Sequence, residues 1–76
     1  MIWIVGGTSD TKVLLEKLSK KITPQNIIVS VTTEYGKKLL ENFNIEIIQK
    51  ILDKNEILDF LKLNNINTII DTSHPY

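Results

Sequence analysis

The sequence predicts an α/β fold in which a four-stranded parallel sheet, ordered 3-2-1-4, carries helices on both faces. Three observations lead there. Four short runs rich in β-branched residues alternate with three segments of helical periodicity, the connections between them are short, and the first run ends in the turn Gly6-Gly7-Thr8-Ser9-Asp10. Strands that alternate with helices pair in parallel through right-handed crossovers, with the helices covering the sheet. In the order 3-2-1-4 the first and fourth strands are neighbours where the winding reverses, and ligands bind there at the carboxyl ends of the strands. The expected architecture is a Rossmann-like half.

The first strand is the apolar run Met1-Ile2-Trp3-Ile4-Val5. After the glycine turn, Ser9 to Ile22 reads as a helix, with Val13, Leu14, Leu18 and Ile22 on its inner face and Lys12, Glu16, Lys17, Lys20 and Lys21 outside. Thr8 or Ser9 caps it. Thr23-Pro24-Gln25 breaks the chain before the second strand, Asn26 to Thr32. A helix from about Glu34 to Phe43 follows, with Tyr35, Leu39, Leu40 and Phe43 directed inward. Ile45-Glu46-Ile47-Ile48 forms the third strand. Asp53-Lys54-Asn55-Glu56 then has the spacing of a capping box, in which the first side chain bonds a backbone N–H of the first turn and the fourth reaches back. Ile57, Leu58 and Leu61 make the apolar stripe of the last helix, Phe60 widens it, and Asn64-Asn65 stops it. The fourth strand is Asn67 to Asp71.

Composition excludes several classes of function. Nine basic and nine acidic residues leave no net charge, so no basic field exists to hold nucleic acid or an anionic membrane surface. The absence of Cys removes disulfides, thiolate nucleophiles and Cys-based metal sites, and one His cannot build the usual zinc constellations. No metal site is expected. No stretch approaches the ~20 apolar residues of a membrane span, and the start lacks a basic segment followed by a longer apolar core. A cytoplasmic location is expected.

Two loops carry the chemistry. A turn of glycine and hydroxyl residues lets backbone N–H groups approach a phosphate, and the helix behind it adds its dipole. The dinucleotide fingerprint needs a further glycine where Thr11 stands, so Gly6-Gly7 reads either as a nucleotide turn or as a tight structural turn. The second strand ends in Ser30-Val31-Thr32-Thr33, with hydroxyls where an NAD-binding domain places an acid roughly 20 residues past its glycines, and Lys37 and Lys38 follow. That pattern favours NADP. Thr33 also reads as the cap of the second helix. The other loop is Asp71-Thr72-Ser73-His74-Pro75-Tyr76, whose imidazole titrates near neutral pH and suits proton transfer, ligand placement or a loop-shaping role. Asp71, Ser73 and His74 are too close in sequence to align as a hydrolytic triad. A phospho-receiver domain needs acidic residues after the first strand, and Val5-Gly6-Gly7 offers none. Trp3 and Tyr35 read as packing residues.

Gly6 to Asp10 after the first strand, Val29 to Gly36 after the second, and Asp71 to Tyr76 after the fourth together resemble the precorrin-6A reductase family of cobalamin biosynthesis. The resemblance runs over the whole chain. It implies an oxidoreductase that uses NADPH to reduce a double bond of the corrin-precursor macrocycle, in cobalt-free or cobalt-loaded form. Gly6, Gly7, Thr8 and Ser9 match the family's phosphate-binding turn. Ser30, Thr32 and Thr33 match the segment beside the adenosine ribose, and the segment Asp71 to Tyr76, with Asp71, Thr72, Ser73 and His74, matches the loop expected near the nicotinamide and the macrocycle. The family usually has Glu-Gly-Arg where this chain has Asp10-Thr11-Lys12, which crowds the helix start and replaces a guanidinium fork with a point charge. Members are considerably longer, so residues 1–76 are expected to be an N-terminal half-domain, inactive alone. The alternative is a non-enzymatic nucleotide-sensing module. The fourth strand, with neither Lys nor Pro, is expected at a bare sheet edge, and a homodimer is expected through edge-to-edge pairing or a helix-face contact with a second copy.

Overall fold

A computed structural model describes residues 1–72; Ser73, His74, Pro75 and Tyr76 lie outside the described residues. The elements run β1 (Ile2–Val5), α1 (Ser9–Leu18), β2 (Ile27–Val31), α2 (Glu34–Leu40), β3 (Glu46–Gln49), α3 (Lys54–Leu63) and β4 (Thr68–Asp71), with single 3-10 turns at Pro24–Asn26 and Glu41–Phe43. All pairings are parallel and the strand order is β3-β2-β1-β4. The predicted fold class is the observed one.

The central strands β1 and β2 are apolar on both sides because both sides are covered. Ile4, Ile27, Val29 and Val31 meet Leu15 of α1 and Leu40 of α2 in the buried core. On the opposite face Trp3 lies under α3, its ring 4.9 Å from that of Phe60. A continuous run such as Ile27-Ile28-Val29-Ser30-Val31, buried at every position, is what a two-sided parallel strand requires. The outer strands β3 and β4 combine exposed and half-buried positions instead. Among the described residues no helix is long and apolar enough to cross a membrane.

Local signals set most boundaries. The Asp53–Glu56 capping box forms, with the Glu56 N–H donating to Asp53 Oδ1 at 2.8 Å. Thr8, not Ser9, caps α1. Asn65 has a φ of 52° just past α3, and Asn44 a φ of 56° at the end of the Glu41–Phe43 turn, the left-handed conformation that asparagine tolerates.

Several boundaries and inner faces differ from the expectation. The first helix ends at Leu18, not Ile22: the Leu18 carbonyl accepts the N–H groups of both Lys21 and Ile22, which tightens the last turn. Leu15 and Thr11 occupy its inner face, while Val13 is half-exposed. Tyr35 is 70% exposed, because α2 is short and directs Gly36 and Leu40 inward instead. Leu58 is 51% exposed, since a single helix on the α3 face buries only the stripe through Ile57, Phe60 and Leu61. The third strand is Glu46–Gln49, and the fourth begins at Thr68.

Candidate functional site

The glycine turn leaves β1 directly beneath the end of β4. The Gly6 N–H donates to the Ser30 carbonyl at 3.0 Å, which extends the β1–β2 ladder by one bond. A Cβ on Gly6 would run into Thr11 Oγ1 and Thr72 Oγ1. Gly7 has a φ of 120°, which side-chain-bearing residues rarely adopt, and its Cα packs against Gly36 of α2. The second helix therefore approaches the turn as closely as backbone allows. Gly36 has this role, and only the contact reveals it.

The N–H groups of the turn have definite partners. Those of Gly7 and Thr8 donate to Thr11 Oγ1 at 3.1 and 3.3 Å. The Thr11 N–H donates to Thr8 Oγ1 at 3.4 Å. Ser9 and Asp10, both exposed in the first turn of α1, present N–H groups with no partner among the described residues. The turn thus offers two amides and the Ser9 hydroxyl to an anion, with the Asp10 carboxylate beside them.

At the end of β2 the three hydroxyl residues separate. Ser30 is buried and accepts the Trp3 Nε1–H at 2.9 Å, which holds the indole on the α3 face. Thr33 caps α2 by accepting the Gly36 N–H at 3.0 Å. Thr32 is exposed and lines a cavity of about 250 Å³. Trp3, Val5, Gly6 and Ser30 also line that cavity, together with Lys50, Ile51 and Leu52 of the loop after β3 and Ile57 of α3. Lys37 and Lys38 do not line it. The cation beside it is Lys50, whose N–H continues the β2–β3 ladder onto the Val31 carbonyl and whose ammonium pairs with Glu56. The hydrogen bond to Glu56 raises the Lys50 pKa, and the same bond, with help from the Asp53 amide, lowers that of Glu56. A charged residue at the end of a short strand carries no sequence signal, so Lys50 was not legible before the fold was known.

The end of β4 reaches the turn. Asp71 is in register with Val5, and the Thr72 N–H donates to the Val5 carbonyl at 2.8 Å. Thr72 Oγ1 lies 2.6 Å from Thr11 Oγ1. Gly6, Thr8 and Thr11 of the turn thereby meet Thr72 at the end of β4, so the two loops adjoin as the strand order implies. The expectations for Ser73 and His74 fall outside the described residues. No group of three or more metal-ligating side chains exists among the described residues.

Comparison with known proteins gives a match over residues 1–76 to the family described as Precorrin-6x reductase CbiJ/CobK. The chain belongs to that family. Among its relatives is the cobalt-precorrin-6A reductase of Methanocaldococcus jannaschii, 38% identical over 73 residues that make up 96% of this chain and 29% of the relative. Another is that of Methanococcus maripaludis, 31% identical over 99% of this chain and 30% of the relative. That of a Synechocystis strain is 34% identical over 99% of this chain and 28% of the relative. The chain therefore spans less than a third of the length of these family members. No solved structure gives a significant match.

Proposed function

We propose that residues 1–76 are the nucleotide-binding N-terminal half-domain of an NADPH-dependent precorrin-6A or cobalt-precorrin-6A reductase of cobalamin biosynthesis. The observation that carries the reading is the meeting of the glycine turn with the end of β4 over two neighbouring strands, beside a cavity at the carboxyl ends of β1 and β2. This is the switch point at which Rossmann-like sheets hold their ligands.

The residues fit the cofactor. The absent Cβ atoms of Gly6 and Gly7 keep the turn low, and the Ser9 and Asp10 amides with the α1 dipole suit a diphosphate. The cavity between Thr32 and Ile57 is apolar on its Trp3 and Ile51 walls, as an adenine face requires, with hydroxyls at its edge for the ribose. Among the described residues no carboxylate lines it and Lys50 does, which favours a 2′-phosphate over a bare 2′-hydroxyl. NADPH supplies a hydride to one carbon of a macrocycle double bond, and a proton delivered to the neighbouring carbon completes the reduction. In this reading His74 places the macrocycle or delivers that proton.

Titration calorimetry of the chain with NADPH and NADH tests the proposal. NADPH is expected to bind at least about tenfold tighter, the equivalent of ~1.4 kcal/mol. Equal affinities would overturn the NADPH preference, and no binding of either would overturn the cofactor reading. Ser9→Glu is the informative variant. An acid in the first helical turn suits the helix dipole but repels a diphosphate, so the chain should stay folded and lose the cofactor.

A further inference from the structure

Thr11 is fully buried one turn into α1, and its hydroxyl is used to capacity. A threonine hydroxyl has one proton to donate and two lone pairs to accept with. The Gly7 and Thr8 N–H groups take both lone pairs. Thr72 Oγ1 lies 2.6 Å from Thr11 Oγ1 and 3.0 Å from the Val5 carbonyl. A carbonyl only accepts, so the single Thr72 proton goes to Val5, and Thr11 gives its own proton to Thr72 at 2.6 Å in preference to Thr8 Oγ1, which lies farther off at 3.3 Å. The chain of bonds has one direction: turn amides to Thr11, Thr11 to Thr72, Thr72 to the last carbonyl of β1. Thr8 fastens it from outside, since its hydroxyl donates to the Thr72 carbonyl at 3.4 Å. The relay spans 61 positions of sequence and passes through the space that a Gly6 Cβ would fill.

We propose that Thr11 is a positioning residue that locks the Gly6-Gly7 turn to the end of β4 and, by occupying the Gly7 and Thr8 amides, directs a bound diphosphate to the amides of Ser9 and Asp10. A glycine at this position of the fingerprint leaves those two amides to the anion and has no side chain to reach β4. Here the residue that departs from the fingerprint fixes the turn that holds the cofactor to the strand end that leads into Ser73 and His74, so that the two move as one unit. The second half of the proposal rests on the nucleotide reading above, and the first does not.

Amide hydrogen exchange and chemical shifts of the ¹⁵N-labelled chain test both halves. In Thr11→Val the amides of Gly7 and Thr8 lose their acceptor, and the Thr72 amide keeps its bond to the Val5 carbonyl but loses the side-chain anchor that holds the strand end, so all three should exchange about tenfold faster. Thr11→Ser should restore all three. A Thr72 amide that exchanges at the wild-type rate in Thr11→Val, or a serine variant no better than valine, would overturn the lock. If Thr11→Val fails to fold, Thr72→Val cuts the relay from its other end. Faster exchange at Gly7 and Thr8 then supports the lock, and unchanged exchange overturns it. On titration with NADPH the Ser9 and Asp10 amides should shift most; larger shifts at Gly7 and Thr8 would overturn the assignment of the diphosphate. If no amide shifts, the cofactor reading and the diphosphate assignment fall together, and the exchange data still decide the lock.

Discussion

The two faces of the sheet are built from the same central strands and end in opposite conditions. On the α1/α2 face, Ile4, Val29 and Val31 interlock with Leu15 and Leu40, and the glycine turn is threaded between Thr11 and Gly36 without space to spare. On the α3 face a single ten-residue helix covers Trp3 through Phe60 and leaves a cavity at the strand ends, with Ile51 in its wall and Leu58 and Leu63 of the helix all more than half exposed. Two helices fill one side and one helix roofs the other. The difference teaches how the work is divided, since the filled face sets the shape of the turn and the open face leaves a cavity against it.

The largest test of this contrast is a pair of leucines. Leu40→Ala removes a wholly buried side chain from the filled face and should cost about 2–5 kcal/mol in urea unfolding. Leu58→Ser, on the open face, should stay within about 0.5 kcal/mol of the parent. Equal losses would mean that the two faces are packed alike.

A smaller effect sharpens the role of the turn. A Cβ at Gly36 would stand 3.0 Å from the Gly7 Cα and 3.2 Å from its carbonyl oxygen, and backbone yields less readily than a side chain. Gly36→Ala should therefore lower stability by about 1–3 kcal/mol, as overpacking does, and should shift the Gly7 amide resonance. A variant with an unchanged melting temperature would show that α2 has room to withdraw from the turn.

The smallest effect belongs to the open face. Glu56 is held below the ordinary carboxylate value of 4.5 by Lys50 and the Asp53 amide, so what it adds is present above that value and lost as pH falls through the lowered one. Lys50 is raised above 10.5, so its part is present below that value and lost only as pH rises through the raised one. Lys50 is exposed and Glu56 partly so, which keeps the contribution small. Melting temperatures of Glu56→Gln should fall less steeply than the parent's as the pH is lowered below 4.5. Parallel acid limbs would show that the pair adds nothing to α3.

Much of the fold could be read from neighbouring residues. The Asp53 and Glu56 box, the Thr33 cap and the Asn64-Asn65 stop each act within a turn of the chain, so their spacing is their mechanism. The inner faces were less legible. The stripe expected through Val13, Leu14, Leu18 and Ile22 omits Leu15, which only the approach of β1 and α2 buries. Tyr35 has the right spacing and the wrong side, because α2 turns Gly36 toward Gly7 and thereby turns its neighbour to solvent.

By itself the sequence determined the alternation of strands and helices, their caps, and through the connection rules the parallel order β3-β2-β1-β4. It also brought the glycine turn and the Asp71–Thr72 strand end to the same crevice, because strand neighbours follow from topology. Only the tertiary structure decided what those loops do to each other. Thr11 reads in sequence as an obstruction where a glycine belongs, and becomes the centre of a hydrogen-bond relay once Thr72 arrives from the far end of the chain. Lys50 reads as an ordinary surface lysine until β3 brings it beside Thr32. A hydroxyl or an ammonium takes its role from the partner within hydrogen-bonding reach, and for these two residues that partner or cavity wall is set by how β1, β3 and β4 pack, not by periodicity.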